Sequence, residues 1–145
     1  MSSTIIMLPL CGQPYIINDN HKGADDASIE ELQEAVGGYI GVVSQPRDRV
    51  VIHPMFQENP AWKQVSKLIQ KARKDAISVY CNDEGLRKCS PNMAVLIKHW
   101  KEGYIPLMGN IVIRVKNSWF NKNKKNYTEI HDDEEAMLIA CGYKE

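Results

Sequence analysis

The chain has 145 residues and a formal net charge of zero, with 43% hydrophobic and 25% charged side chains. A chain of about 150 residues suits one domain and buries about 70% of the surface that its unfolded form exposes. The balanced charge excludes a whole-molecule field that would draw nucleic acid or an anionic membrane, and no apolar run approaches the ~20 residues needed to cross a bilayer.

Thr4 to Leu10 and Pro14 to Asn18 read as two strands. The short link Cys11-Gly12-Gln13 makes them a hairpin. A helix follows, capped by Ser28 with Glu31 three residues on, and Ile29, Leu32 and Val36 form its apolar stripe. Gly37 and Gly38 end it, because a glycine past the last turn adopts the left-handed conformation that a β-carbon resists. Tyr39 to Val43 is rich in β-branched and aromatic residues and reads as the third strand. Pro46 marks a turn, and Arg49 to His53 a fourth strand that Pro54 stops.

Asn59-Pro60 is a helix start, with asparagine as cap and proline in the first turn. The helix it opens, Ala61 to Lys74, carries Trp62, Val65, Leu68, Ile69 and Ala72 on one face and Lys63, Lys67, Lys71 and Lys74 on the other. Ile77 to Cys81 is a strand, and Asn82-Asp83-Glu84-Gly85 a turn. Ser90-Pro91 reads as the start of a further helix, with Met93, Leu96, Ile97 and Trp100 facing inward and Gly103 ending it. Ile111 to Val115 is a strand, Ser118 to Tyr127 a basic, asparagine-rich loop, and Asp132 caps a last helix that stops at Gly142. Several strand pairs are joined too closely for parallel crossovers. The expected class is therefore α+β: one domain over residues 1–145 with a small, mostly antiparallel sheet and three to four helices packed mainly on one face.

Four segments also carry a resemblance. LQEAVGGYIGVV (Leu32 to Val43), VYCNDEGLRKCSPNMAV (Val79 to Val95), GNIVIRV (Gly109 to Val115) and the acidic start His131-Asp132-Asp133-Glu134 occur in an order that resembles a viral and phage family, domain of unknown function 3846. The likeness covers most of the chain except Arg49 to Asp75, which reads as a helical insertion over 49–75. It implies a small virus-encoded protein at work in the host cytoplasm, with virion association as a further form. It brings no catalytic residues with it. A cytoplasmic setting agrees with the four cysteines, Cys11, Cys81, Cys89 and Cys141, which form no Cys-x-x-Cys pair and read as reduced thiols. It agrees too with the N-terminal apolar run Ile5 to Leu10, too short for a signal peptide and interrupted by Pro9.

Two features point to binding chemistry. Residues advance about 100° around a helix, so spacings of four, four and three hold Lys63, Lys67, Lys71 and Lys74 within about a quarter turn. Long cations on one line suit a phosphate backbone or an acidic partner; a solvated outer face is the plainer alternative. Lys116, Lys122, Lys124 and Lys125 surround Trp119 and Phe120, an arrangement in which aromatics stack bases and lysines hold phosphates. Its alternative is a loop whose aromatics tuck into the core.

Catalytic signatures are weaker. Gly37-Gly38 follows a helix instead of preceding one, the reverse of a phosphate-binding loop. Asp83 and Glu84 are adjacent in a turn, where Asn82 and Asp83 shape the backbone with their own side chains. His21, His53, His99 and His131 are scattered without the i, i+4 pairing of a helical zinc site, and no Gly-x-Ser-x-Gly elbow occurs. The expected function is a non-enzymatic accessory protein that binds nucleic acid, a nucleotide or a host protein, with no metal and no cofactor. One form of it sequesters a host signalling nucleotide. The competing expectations are a small enzyme acting on a phosphorylated molecule, with Asp83, Glu84 or His99 as acid or base, and a virion structural or adaptor protein.

Overall fold

The computed structural model describes residues 3–18, 29–71, 77–99 and 101–116. The short apolar runs form two antiparallel sheets. The larger has the order β2-β1-β8-β5-β3, built from β1 (Ser3–Leu8), β2 (Tyr15–Asn18), β3 (Ile40–Val43), β5 (Ile77–Asn82) and β8 (Ile111–Lys116). The smaller has the order β4-β6-β7, built from β4 (Val50–Ile52), β6 (Pro91–His99) and β7 (Gly103–Met108). Between them along the chain lie α1 (Ile29–Val36), the short α2 (Pro46–Arg49), a 3-10 turn (Pro54–Glu58), α3 (Pro60–Lys71) and the single turn α4 (Gly85–Lys88). The class is α+β, and every described strand pairing is antiparallel.

β1 and β8 are buried on both faces. Ile5, Met7 and Val112 point to one side and pack with Leu32 and Val36 of α1. Ile6, Leu8, Ile111, Ile113 and Val115 point to the other, into a core shared with Val50 and Ile52 of β4, Ala94 and Val95 of β6, and Trp62, Val65, Leu68 and Ile69 of α3. This arrangement corrects the expectation that the helices pack mainly on one face. α1 and α3 lie on opposite sides of the larger sheet, because an apolar run exposed on both faces needs a cover on each. Residues 49–71, expected as an insertion, supply β4, the 3-10 turn and α3, and so contribute to the main core.

A second correction concerns residues 90–103. The helix expected there is the β6–β7 hairpin. Met93, placed inward by helical spacing, is 57% exposed, whereas Ala94 and Val95 are buried between the neighbouring strands. A short apolar run satisfies both periodicities, and pairing with β4 on one side and β7 on the other decides for the strand. Gly103 does not end a helix but closes the hairpin turn, at φ +78°.

Other local readings hold. The Asn59 side chain accepts from the backbone N–H of Ala61 (2.9 Å) and of Trp62 (3.3 Å), so it caps α3. Gly37 sits at φ +81°, and its N–H donates to Gln33 O at 2.9 Å, the left-handed stop of α1. The Ser28 cap and the last helix lie outside the described residues. No described helix is long and apolar enough to cross a membrane.

Two stability outcomes follow from these packings. Ile69 is 2% exposed, so Ile69→Ala is expected to lower the unfolding free energy in urea by about 2–5 kcal/mol through lost methyl burial and a residual cavity. A β-carbon at Gly37 meets no atom within 4 Å, so the penalty of Gly37→Val is conformational. It is expected at about 1–2 kcal/mol. An unchanged urea midpoint for Gly37→Val would show that the backbone there relaxes out of the left-handed region.

Candidate functional site

The α3 helix turns its apolar face inward with Ala61, Trp62, Val65, Leu68 and Ile69 buried. Its outer face carries Lys63, Lys67 and Lys71, four residues apart; Lys63 and Lys71 are exposed and Lys67 is half-buried. Trp62 also anchors the helix end-on, since its indole N–H donates to Gly12 O at 3.3 Å. The three lysines thus stand on a helix that cannot roll without opening the core. Lys74, Trp119, Lys122, Lys124 and Lys125 lie outside the described residues. Lys116 closes β8.

A second cluster forms where β5 ends. The Asn82 side chain is buried, 6% exposed. Its amide donates to Val36 O at 3.1 Å, satisfying one of the carbonyls left over at the C-terminus of α1. Its oxygen accepts from Glu84 N at 2.8 Å and shapes the turn. Asp83 N donates to Tyr39 O at 2.8 Å. A β-carbon on Gly38 would stand 3.0 Å from the Asn82 amide nitrogen, so the backbone there must approach without a side chain. The helix-stop motif at Gly37-Gly38 and the Asn-Asp-Glu-Gly turn, far apart in sequence, are one structural unit.

Two clefts flank α4. One, about 240 Å³, is lined by Gln33, Gly37, Tyr39, Asn82, Glu84 and Lys88. The other, about 260 Å³, is mostly apolar and runs along Cys81, Asp83, Leu86, Ile105, Leu107 and Met108. Glu84 is committed to Lys88, 2.6 Å away, and this hydrogen bond and charge hold the Lys88 ammonium above its ordinary pKa. Burial first, then the Asp83 carboxylate and Cys89, raise the pKa of the Cys81 thiol. The protonated form is therefore favoured, and it points at Gly41 O, 3.7 Å away. A raised pKa is the opposite of what activates a cysteine nucleophile.

The described histidines serve the backbone. His53 Nδ1 accepts from Met55 N at 3.0 Å and starts the 3-10 turn. His99 Nδ1 accepts from Lys101 N and Glu102 N, both 3.2 Å, and lines neither cleft at α4. Asp83, Glu84 and His99, the acid–base candidates of the sequence, do not converge on one of these clefts. Among the described residues, no three His, Cys, Asp or Glu side chains gather where a metal ion could sit.

One polar residue gave no signal in the sequence beyond its place after Pro91. Asn92 is 1% exposed, and its amide reaches Leu8 O (3.3 Å), Pro9 O (3.4 Å) and Gly109 O (3.0 Å) while its oxygen accepts from Ala94 N (3.2 Å). It ties the end of β1 to the β6 start and the β7–β8 turn. Asparagine serves here because one side chain carries both donors and acceptor.

Comparison with protein-family models, with curated proteins and with solved structures found no match to this chain.

Removing the Asn82 amide strands the Val36 carbonyl and the Glu84 N–H together. Asn82→Ala is expected to lower stability by about 1–3 kcal/mol, read as a fall in thermal midpoint, and to raise hydrogen exchange at the C-terminus of α1.

Proposed function

We propose that the protein is a non-enzymatic binding protein that holds a phosphate-bearing ligand, a nucleic acid or nucleotide, on the outer face of α3. The observation that carries this reading is the line of Lys63, Lys67 and Lys71 on a helix whose opposite face is locked into the core. Such a line presents cations at a fixed spacing, so a polyanion binds without first ordering the surface that receives it. The neutral net charge makes the local line, and not a general field, responsible for any attraction. The backbone duties of His53 and His99, the Glu84–Lys88 pair and the raised Cys81 pKa support binding over acid–base or thiolate chemistry. The resemblance to a viral and phage family makes a virus-encoded accessory protein the fitting biological form, with a host nucleotide or host nucleic acid as its target in the host cytoplasm.

The test is fluorescence anisotropy with labelled single- and double-stranded oligonucleotides across a salt series. Wild-type affinity should fall with salt, with a log–log slope of about −0.7 per neutralised phosphate for single strands. Changing Lys67 and Lys71 together to glutamine keeps long side chains of good helix propensity. Fold and melting temperature should hold, affinity should drop, and the slope should become shallower by about 1–2. No binding at low salt, where screening is weakest, would remove the nucleic-acid form and leave a small nucleotide or a protein partner to test.

A further inference from the structure

The outer face of α3 carries charge of one sign. The helix reads Pro-Ala-Trp-Lys-Gln-Val-Ser-Lys-Leu-Ile-Gln-Lys and contains no carboxylate, so no acid within it stands four residues from Lys63, Lys67 or Lys71. Between the lysines its outer side carries two amides, the half-buried Gln64 and the exposed Gln70. α2, which packs beside α3, reads Pro-Arg-Asp-Arg, one acid between two cations. The exposed Glu58 ends the 3-10 turn just ahead of the Asn59 cap, so the line of cations begins at Lys63. A helix face that is merely solvated commonly alternates signs along its length, and this one does not.

The spacing of the line distinguishes between phosphate ligands. Each step of four residues rises ~6 Å and turns ~40°, so the three lysines span ~12 Å along the helix axis on one slowly winding line. Side chains at such positions are neighbours, with Cβ atoms about 5–6 Å apart. Lys63 and Lys71 are exposed, and Lys67 between them is half-buried, which leaves it less room to swing toward either end. Drawing all three ammonium groups onto one point would also set like charges against one another. In a nucleoside or inorganic triphosphate the phosphates share bridging oxygens and stand much closer together than the lysines. In a polynucleotide strand a sugar separates successive phosphates, and the repeat has about the length of one step of the line.

We propose that this line is matched to one strand of nucleic acid, with Lys63, Lys67 and Lys71 each taking one of three successive phosphodiesters in order. The inference rests on the phosphate-binding reading above and narrows it, from any phosphate-bearing ligand to a polynucleotide backbone. Each ammonium meets one singly charged phosphodiester, so charge is matched one to one along the line. A compact triphosphate would instead gather its charge at one or two lysines and leave the rest of the line to water. Gln64 and Gln70 add donors and acceptors beside the line without repelling phosphate. Backbone contacts of this kind carry no sequence information, so the site should not discriminate among bases. A free single strand and one strand of a duplex offer the same chemistry, and the test separates them.

The experiment is fluorescence anisotropy on the full chain with labelled oligothymidylates that carry increasing numbers of phosphodiesters, with a duplex series, and with inorganic triphosphate as competitor. Affinity should climb with each phosphodiester until three are present and then level off, apart from the statistical gain of extra registers. The log–log salt slope of the single strand should reach about −2, a loss of about twentyfold between ~50 and ~200 mM salt. A duplex held through three phosphates gives a slope of about −2.7, which identifies the source. Inorganic triphosphate, although it holds more charge per phosphate, should compete about tenfold less well than the oligonucleotide at the plateau.

Substitutions read the order of the contacts. Lys63→Gln or Lys71→Gln removes an end of the line and should bring the plateau one phosphodiester earlier. Lys67→Gln removes the middle and should flatten the slope by about 0.7 while the plateau stays at three. Each should leave the melting temperature unchanged, since glutamine keeps a long side chain of good helix propensity. Triphosphate that competes as well as the plateau oligonucleotide overturns the proposal while the broader phosphate-binding reading stands. So does an affinity that keeps rising in even steps beyond three phosphodiesters, or a plateau that neither end substitution moves. Failure of every phosphate probe to bind at low salt, where screening is weakest, overturns the proposal and that reading together.

Discussion

The structure depends on the double burial of β1 and β8. Ile5, Ile6 and Leu8, and Ile111, Val112, Ile113 and Val115, have no exposed surface, although successive residues point to opposite faces. A strand pair of that composition is stable only with an apolar layer on each side. α1 supplies one layer. β4, β6 and α3 supply the other, and so the second sheet and α3 are parts of the core. The position of the candidate surface descends from this demand. α3 is held with its lysines outward because its other face closes the larger core, and β3 is an edge because the sheet runs out of strands beside β5.

Two asparagines hold the layers in register. Asn82 joins the end of α1 to the turn after β5, and Asn92 joins β1, β6 and the β7–β8 turn. Both are buried where chain segments change direction and carbonyls would otherwise lack donors. A buried polar group is stabilising only when satisfied, and here each amide and each oxygen has a partner. The Asn-Asp-Glu-Gly turn, which offers acidic side chains to a catalytic reading, thus has a structural account: Asn82 shapes it, Glu84 pairs with Lys88, and the Asp83 backbone extends the β3–β5 ladder.

Much of the local structure was legible in the sequence. Asn59-Pro60 announced α3, Gly37 the left-handed end of α1, and Ile111 to Val115 a strand, because each rests on backbone chemistry that neighbouring residues alone dictate. The lysine line was legible for the same reason, since helical spacing is a local property. Residues 90–103 were not. Met93, Leu96 and Ile97 fit a helical stripe, and only the presence of β4 and β7 on either side made the segment a hairpin. Tertiary structure alone decided three further matters: that α1 and α3 lie on opposite faces, that Asn82 and Asn92 reach across tens of residues, and that β3 ends its sheet beside β5. Each is a relation between segments distant in the chain, where the free energy comes from burial and pairing that no single segment encodes.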